Sequence, residues 1–276
     1  MGMEERQQEA GPAAGRLAGD QRRRAAGISV RIHASAELAC QAVAEEVLEL
    51  VARKPSAALG LATGSTMVGV YAAMVEALLD RPGALDAVRT FNLDEYLDLP
   101  PGSPSSFRAF MDAHLFGPCG LSEHQVSFPC PPSSPALTSA AEPIGREFEA
   151  AIERAGGLDL QLLGLGRNGH IAFNEPGSGM DSRTREVELA PKTRADAAAT
   201  FGSLEAVPFR AVTMGVGTIL EARQIRVLAL GAHKADVVAS LLAGASGLGL
   251  PAAYLAGHAD VCLHLDAAAG SRLSAG

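Results

Sequence analysis

Short apolar runs alternate along the chain with segments whose apolar positions recur every three or four residues. The runs at 28–32, 57–62, 88–92, 158–165, 212–214 and 225–230 predict strands, since short apolar stretches bounded by turn signals suit strands buried on both faces. After the first run, Ser35 is placed to cap a helix whose Ala36, Ala39, Val43, Val47 and Leu50 fall on one face. Helical sequence is also expected from the turn at 63–66 to about Leu79, over 105–116, over 140–155, and in the Ala-rich piece after Lys192. Proline and serine mark 100–104 and 129–135 as loops. Strand followed by helix, repeated, predicts a single α/β domain over 28–270, with a mainly parallel, Rossmann-like sheet and helices on both faces.

Composition narrows the picture. The 276 residues are 47% hydrophobic with 30 glycines, enough for one substantial core. A formal charge of -8 argues against a nucleic-acid partner, which calls for a basic face, yet it leaves room for one small anionic ligand. Cys40, Cys119, Cys130 and Cys262 lack the spacing of a zinc site or a disulfide framework and suit a reducing cytosol, so a cytoplasmic location is expected. No run approaches the ~18 apolar residues of a membrane span, so no membrane partner is expected. Residues 1–27 combine Arg22, Arg23 and Arg24 with Glu4, Glu5 and Glu9 and hold no apolar segment. That excludes a secretory signal, argues against a mitochondrial one, and predicts a disordered N-terminal extension.

Candidate chemistry centres on residues 164–176, GLGRNGHIAFNEP, which leave a predicted buried strand. Gly164, Gly166 and Gly169 permit tight turns and close approach to a ligand, while Asn168, His170 and Glu175 supply an amide, an imidazole and a carboxylate. The glycine spacing also fits a dinucleotide fingerprint. Pro176 and Gly177 follow too soon for the helix which that motif requires, so no nicotinamide cofactor is expected.

Upstream, Thr63, Gly64, Ser65 and Thr66 lie between a predicted strand and helix, where backbone N–H groups and the helix dipole favour an anion. Asp94 stands at a strand end, where partial withdrawal from water can raise a carboxyl pKa enough to move a proton on and off carbon. Continued extension would put Asn92 on the face of Asp94 and Glu95 on the other, and Glu95 is expected to be a cap or salt bridge. Taken singly, the 63–66 turn reads equally as an ordinary cap and His170 as a structural imidazole.

Five blocks, GLATGST at 60–66, FNLDEY at 91–96, NGHIAFNEP at 168–176, TMGVGT at 213–218 and LGAHK at 230–234, resemble the glucosamine-6-phosphate deaminase (isomerising) family in content and order. The resemblance covers 28–266 and implies a fold of the sugar-phosphate isomerase/deaminase type. It also implies conversion of glucosamine 6-phosphate and water to fructose 6-phosphate and ammonia, with neither metal nor redox cofactor. By the same resemblance the turn from Thr63 to Thr66, with Arg194 and Lys234, holds the phosphate. Asp94 moves a proton from C2 to C1, and His170 opens the sugar ring with Glu175 orienting it. Asn168 stands where some relatives carry Asp; an amide orients the ring without supplying charge, which shifts that task to Glu175. Arg185 matches an effector-site arginine of some relatives, but Val187 stands where those carry Lys, so that form of activation is not expected.

Three alternatives accompany this reading. Galactosamine 6-phosphate differs by one epimeric hydroxyl. A 6-phosphogluconolactonase is disfavoured by the wording GHIAFNE at 169–175, and a non-catalytic sugar-phosphate sensor by the lack of room before Ile28 for a helix-turn-helix module. The oligomeric state stays open, and a homo-oligomer is compatible with everything above.

Overall fold

The computed structural model of the protein describes residues 21–129 and 144–273. Its strands are β1 (Gln21–Ala25), β2 (Ile28–His33), β3 (Ala58–Leu61), β4 (Arg89–Asn92), β5 (Asp94–Tyr96), β6 (Val126–Ser127), β7 (Leu160–Gly164), β8 (Arg185–Glu188), β9 (Arg210–Thr213), β10 (Ile225–Ala229) and β11 (Val261–Asp266). Eight form one sheet in the order β1-β2-β11-β10-β7-β3-β4-β6, parallel throughout except for the β1–β2 pair. The helices are α1 (Ala36–Arg53), α2 (Ser65–Leu78), α3 (Phe107–Met111), α4 (Gly117–Cys119), α5 (Ile144–Arg154), α6 (Pro191–Phe201), α7 (Val216–Leu220) and α8 (Ala235–Leu242). Every residue of β3, β10 and β11 is buried, so helices and loops cover both faces of the sheet, as in α/β proteins generally.

Local chemistry sets the elements where the sequence placed them. Ser35 caps α1 by accepting from the Leu38 N–H at 3.2 Å, and α1 buries Ala39, Val43 and Val47 against the sheet. Three features differ from expectation. Gln21–Ala25 is a strand rather than part of a disordered extension to residue 27, because a turn at Ala26-Gly27, both at positive φ, folds it back antiparallel onto β2; residues 1–20 lie outside the described residues. Secondly, β11 lacks a continuous apolar run: His264 and Asp266 sit at alternate positions, tolerated because His264 stacks on His33 (5.4 Å between ring centres) and Asp266 accepts from the N–H groups of Gly231 and Ala269. Thirdly, β5, β9 and β8 form a separate three-stranded antiparallel sheet. Residues 130–135 of the loop expected over 129–135 and the start of the helix expected at 140 fall outside the described residues, as does Cys130.

The small sheet matters for the site. Its core is aromatic: Tyr96 packs on Phe107 (4.6 Å), Phe201 (5.1 Å) and Phe173 (5.6 Å). One ring thus ties β5 to α3, α6 and the turn after β7. The chain crosses between the sheets at Leu93, whose N–H donates to Leu61 of β3 (3.0 Å) and whose carbonyl accepts from Met214 (2.6 Å).

Candidate active site

At the carboxyl ends of β3, β7 and β10, where open parallel sheets gather ligands, lies a cavity of about 640 Å³. Its floor includes the turn from Thr63 to Thr66, Asp94, His170 and Lys234; α3 and α6 form its walls. Ser105 Oγ reaches the Thr200 carbonyl (3.4 Å) between those walls.

The 63–66 turn leaves the start of a helix open to an anion. Gly64, at φ 96°, precedes α2, and no side chain caps the helix. A Cβ at Gly64 would meet nothing within 4 Å, so the space before the helix is open. The first N–H groups of α2 therefore face the cavity with the positive end of the helix dipole behind them. Lys234 reaches the same region and donates to the Leu165 carbonyl at 2.7 Å. Burial lowers its pKa, with Asp196 opposing and Arg167 adding to the shift.

Asp94 opens β5 opposite Thr213 and is 6% exposed. Burial, and then the like charge of Glu95, raise its pKa well above the ordinary carboxylate range. Glu95 faces away as a cap, accepting from the N–H groups of Phe107 (2.9 Å) and Arg108 (2.8 Å) at the start of α3. Burial raises its pKa against the lowering effect of those bonds. Asn92 is fully buried and does not line the cavity, because the chain changes sheets at Leu93 between it and Asp94.

His170 lies in the turn after β7, with its ring against Gly166; a Cβ at Gly166 would come within 2.4 Å of the imidazole. Behind the ring, Nδ1 is buried and 3.7 Å from Glu175 Oε2. Asn168 holds both neighbours: its Nδ2 donates to Glu175 Oε2 (2.6 Å) and its Oδ1 accepts from the His170 N–H (3.3 Å). Thr193 of α6 donates to the other oxygen of Glu175. Burial would raise the Glu175 pKa, but His170, Thr193 and Asn168 outweigh it and bring it to about 2. The turn itself is pinned by Asn174, which donates to the carbonyls of Ile171 and Met214, and includes Ala172 at φ 51°.

Most of the expected site residues converge here. Thr63, Gly64, Ser65, Thr66, Asp94, His170 and Lys234 line the cavity, and Asn168 and Glu175 stand directly behind His170. Arg194 does not join them. On α6 the cavity-facing positions are Thr193, Asp196, Ala197 and Thr200, so Arg194 points elsewhere. Its guanidinium donates to the carbonyls of Leu204 (2.9 Å), Val207 (3.0 Å) and Pro208 (3.3 Å) and stacks on Phe209. The cavity holds a different arginine, Arg167, which the sequence signals only by its place inside the glycine turn. Arg185 lines a separate cavity of about 410 Å³ with Ser178 and Val187, and donates to Asn174 and Ser178. Among the described residues no group of three or more His, Cys, Asp or Glu could hold a metal ion.

The family described as glucosamine-6-phosphate isomerases/6-phosphogluconolactonase matches residues 32–263. A glucosamine-6-phosphate deaminase of Rhodopirellula baltica is 44% identical over 246 residues, covering 89% of this chain and 96% of the relative. One of Hahella chejuensis is 41% identical over 239 residues, covering 87% and 89%. Among solved structures, a monomeric glucosamine-6-phosphate deaminase superposes with a TM-score of 0.80 at 34% identity, over 88% of this chain and 98% of that one. The 6-phosphogluconolactonase of Trypanosoma brucei shares the fold (TM-score 0.70, 22% identity, 89% and 98% covered). With its cavity, its glycine turn and its sheet order all in place, this chain belongs to the glucosamine-6-phosphate isomerase/6-phosphogluconolactonase family.

Proposed function

We propose that the protein converts glucosamine 6-phosphate and water to fructose 6-phosphate and ammonia. The observation that carries this reading is one cavity lined both by a buried carboxyl of raised pKa, Asp94, and by an imidazole backed by an ionised carboxylate, His170 with Glu175. The relatives named above for this reaction, each more than 30% identical over most of the chain, support it.

The N–H groups opening α2 and the Lys234 ammonium bind the phosphate, as a dianion suits a helix N-terminus beside a cation. His170 takes the proton of the anomeric hydroxyl and passes one to the ring oxygen as the C1–O5 bond breaks, leaving the open-chain aldehyde. Glu175, ionised at any pH near neutrality, holds the imidazole and stabilises its cationic form. Asp94, in its ionised form, takes the C2 proton to give an enolamine and returns a proton to C1. Water adds to the resulting C2 imine, the C2–N bond breaks, and ammonia leaves with the ketose. Each step moves protons between carbon, oxygen and nitrogen, so atoms balance without an oxidant. Cys40, Cys119 and Cys262 are free thiols, which suits action in a reducing compartment such as the cytoplasm.

The test is to mix the purified chain with glucosamine 6-phosphate, galactosamine 6-phosphate or 6-phosphogluconolactone and follow ammonia, fructose 6-phosphate and acid release. Equal amounts of ammonia and fructose 6-phosphate from the first substrate are expected. Lactone hydrolysis without ammonia release from either amino sugar would overturn the reading, and faster turnover of the galactosamine ester would change the substrate.

A further inference from the structure

Arg167 lines the cavity and Arg194 does not, and the two differ in what occupies them. Arg194 is committed to three carbonyls and an aromatic ring. Arg167 lines the cavity, and among the described residues its guanidinium has one partner, Asp196 of α6, at 3.7 Å. That separation is too long for a good hydrogen bond, and both side chains are about half exposed, so the pair is weak. Asp196 also lines the cavity, and both members lie within electrostatic reach of Lys234.

Charge sharpens the point. A phosphate monoester carries close to two negative charges at neutral pH. With Asp196 neutralising Arg167, Lys234 is left as the cation facing that dianion. Turning Arg167 from the carboxylate to the phosphate would supply a second charge and a planar fork of N–H donors, which fits phosphate oxygens better than it fits a single distant carboxylate oxygen.

We propose that Arg167 is a second cation reading the substrate's phosphate, and that Asp196 occupies it until the phosphate displaces the carboxylate. The inference rests on the sugar-phosphate reading of the cavity and names a specificity residue for it. It also gives α6 two ends in one event. Asp196 lies one turn beyond Thr193, which donates to Glu175, so arrival of the phosphate at Arg167 acts on the helix that orients the ring-opening pair.

The experiment titrates fructose 6-phosphate and, separately, inorganic phosphate into the full chain by calorimetry, for wild type, Arg167→Met, Arg167→Lys, Asp196→Asn and the Arg167→Met/Asp196→Asn pair. Circular dichroism confirms that each variant is folded. Arg167→Met is expected to weaken fructose 6-phosphate binding by roughly 10- to 100-fold, the range for losing charge-assisted hydrogen bonds, with Arg167→Lys recovering part of it. Asp196→Asn is expected to tighten binding by about 2- to 5-fold, the scale of a weak exposed pair. That gain should vanish in the Arg167→Met background.

Unchanged affinity in folded Arg167→Met, or no binding by wild type, overturns the proposal. A gain from Asp196→Asn that persists without Arg167 overturns the role of Asp196 as its resting partner and leaves simple repulsion. Binding is read without turnover, so the two readings fail separately. Arginine-dependent binding with no ammonia release sinks the proposed reaction alone, whereas ammonia release with an unaltered KM in Arg167→Met sinks this inference alone.

Discussion

One cluster of charge lies between α1 and the large sheet and another where the small sheet meets the cavity, and they are handled in opposite ways. Beneath α1, Glu46 is surrounded: Arg31 donates to one oxygen (2.5 Å), Arg226 to the other, and His264 Nε2 lies 3.4 Å away. Arg226 is shared with Asp260 (2.9 Å), and His264 meets His33 at 3.2 Å. At the cavity, the charged neighbour of Asp94 is Glu95, of the same sign, and His170 Nδ1 has only a loose approach from Glu175. A buried charge with its counter-charge in place is a structural joint. A carboxyl held beside its own sign at a cavity wall keeps its proton to a higher pH, which suits it to exchange one with a ligand.

The comparison can be broken first at Asp94. Asp94→Asn should lower kcat by roughly 10²- to 10⁴-fold, as for a lost acid–base group. The same change should raise the melting temperature by roughly 2–4 °C, the shift expected from about 1 kcal/mol in a chain of this size. The sign follows from the raised pKa: the folded state holds the proton more tightly than the unfolded chain, so stability is lost as pH rises through that pKa, and an amide escapes the loss. Activity runs the other way, falling as pH drops through the same pKa, because the proposed mechanism needs Asp94 ionised to take the C2 proton. A variant that loses both activity and stability, read by assay and by scanning calorimetry, would erase the contrast between the clusters.

Glu46→Ala tests the other side. It takes from Arg226 and Arg31 the carboxylate they share, while Asp260 stays on Arg226, and should cost about 2 kcal/mol in urea denaturation, the scale of lost hydrogen bonds to a charge. The kcat of the folded protein should stay at the wild-type value. A smaller effect is expected between the extremes, at Thr193→Val. Losing one of the donors that hold Glu175 should lower kcat/KM by roughly 5- to 10-fold, the scale of about 1 kcal/mol for one ordinary hydrogen bond. The acid limb of the pH profile should stay where Asp94 sets it, because Glu175 starts from a pKa of about 2. An acid limb that moved with Thr193→Val would transfer that control to Glu175.

What could be read from the sequence followed what is local. The 63–66 turn, the glycine turn after β7 and the alternation of strand with helix all depend on a few neighbouring residues, and each is found where its signals lie. Glu95 was legible as a cap for the same reason. Arg194 was not, because its place depends on the rotation of α6, and a run rich in alanine carries little record of which face is buried. The partnership of Arg167 with Asp196 spans two elements that meet only once the small sheet has packed, so no spacing announces it. The change of sheet at Leu93 was likewise hidden: Phe91-Asn-Leu-Asp-Glu-Tyr96 is extended on either side, and only the separate pairing of β4 and β5 shows that Asn92 and Asp94 serve different layers.

The uncapped start of α2 reaches beyond catalysis. A helix capped by glycine, with no side-chain acceptor, is short by roughly a few tenths of a kcal/mol of local stability, and here a bound anion would take the place of the missing acceptor. An unoccupied chain should therefore open at that turn more often than an occupied one and meet proteases more often. If the ligand is the sugar phosphate, substrate held at this turn would slow its cleavage by a protease.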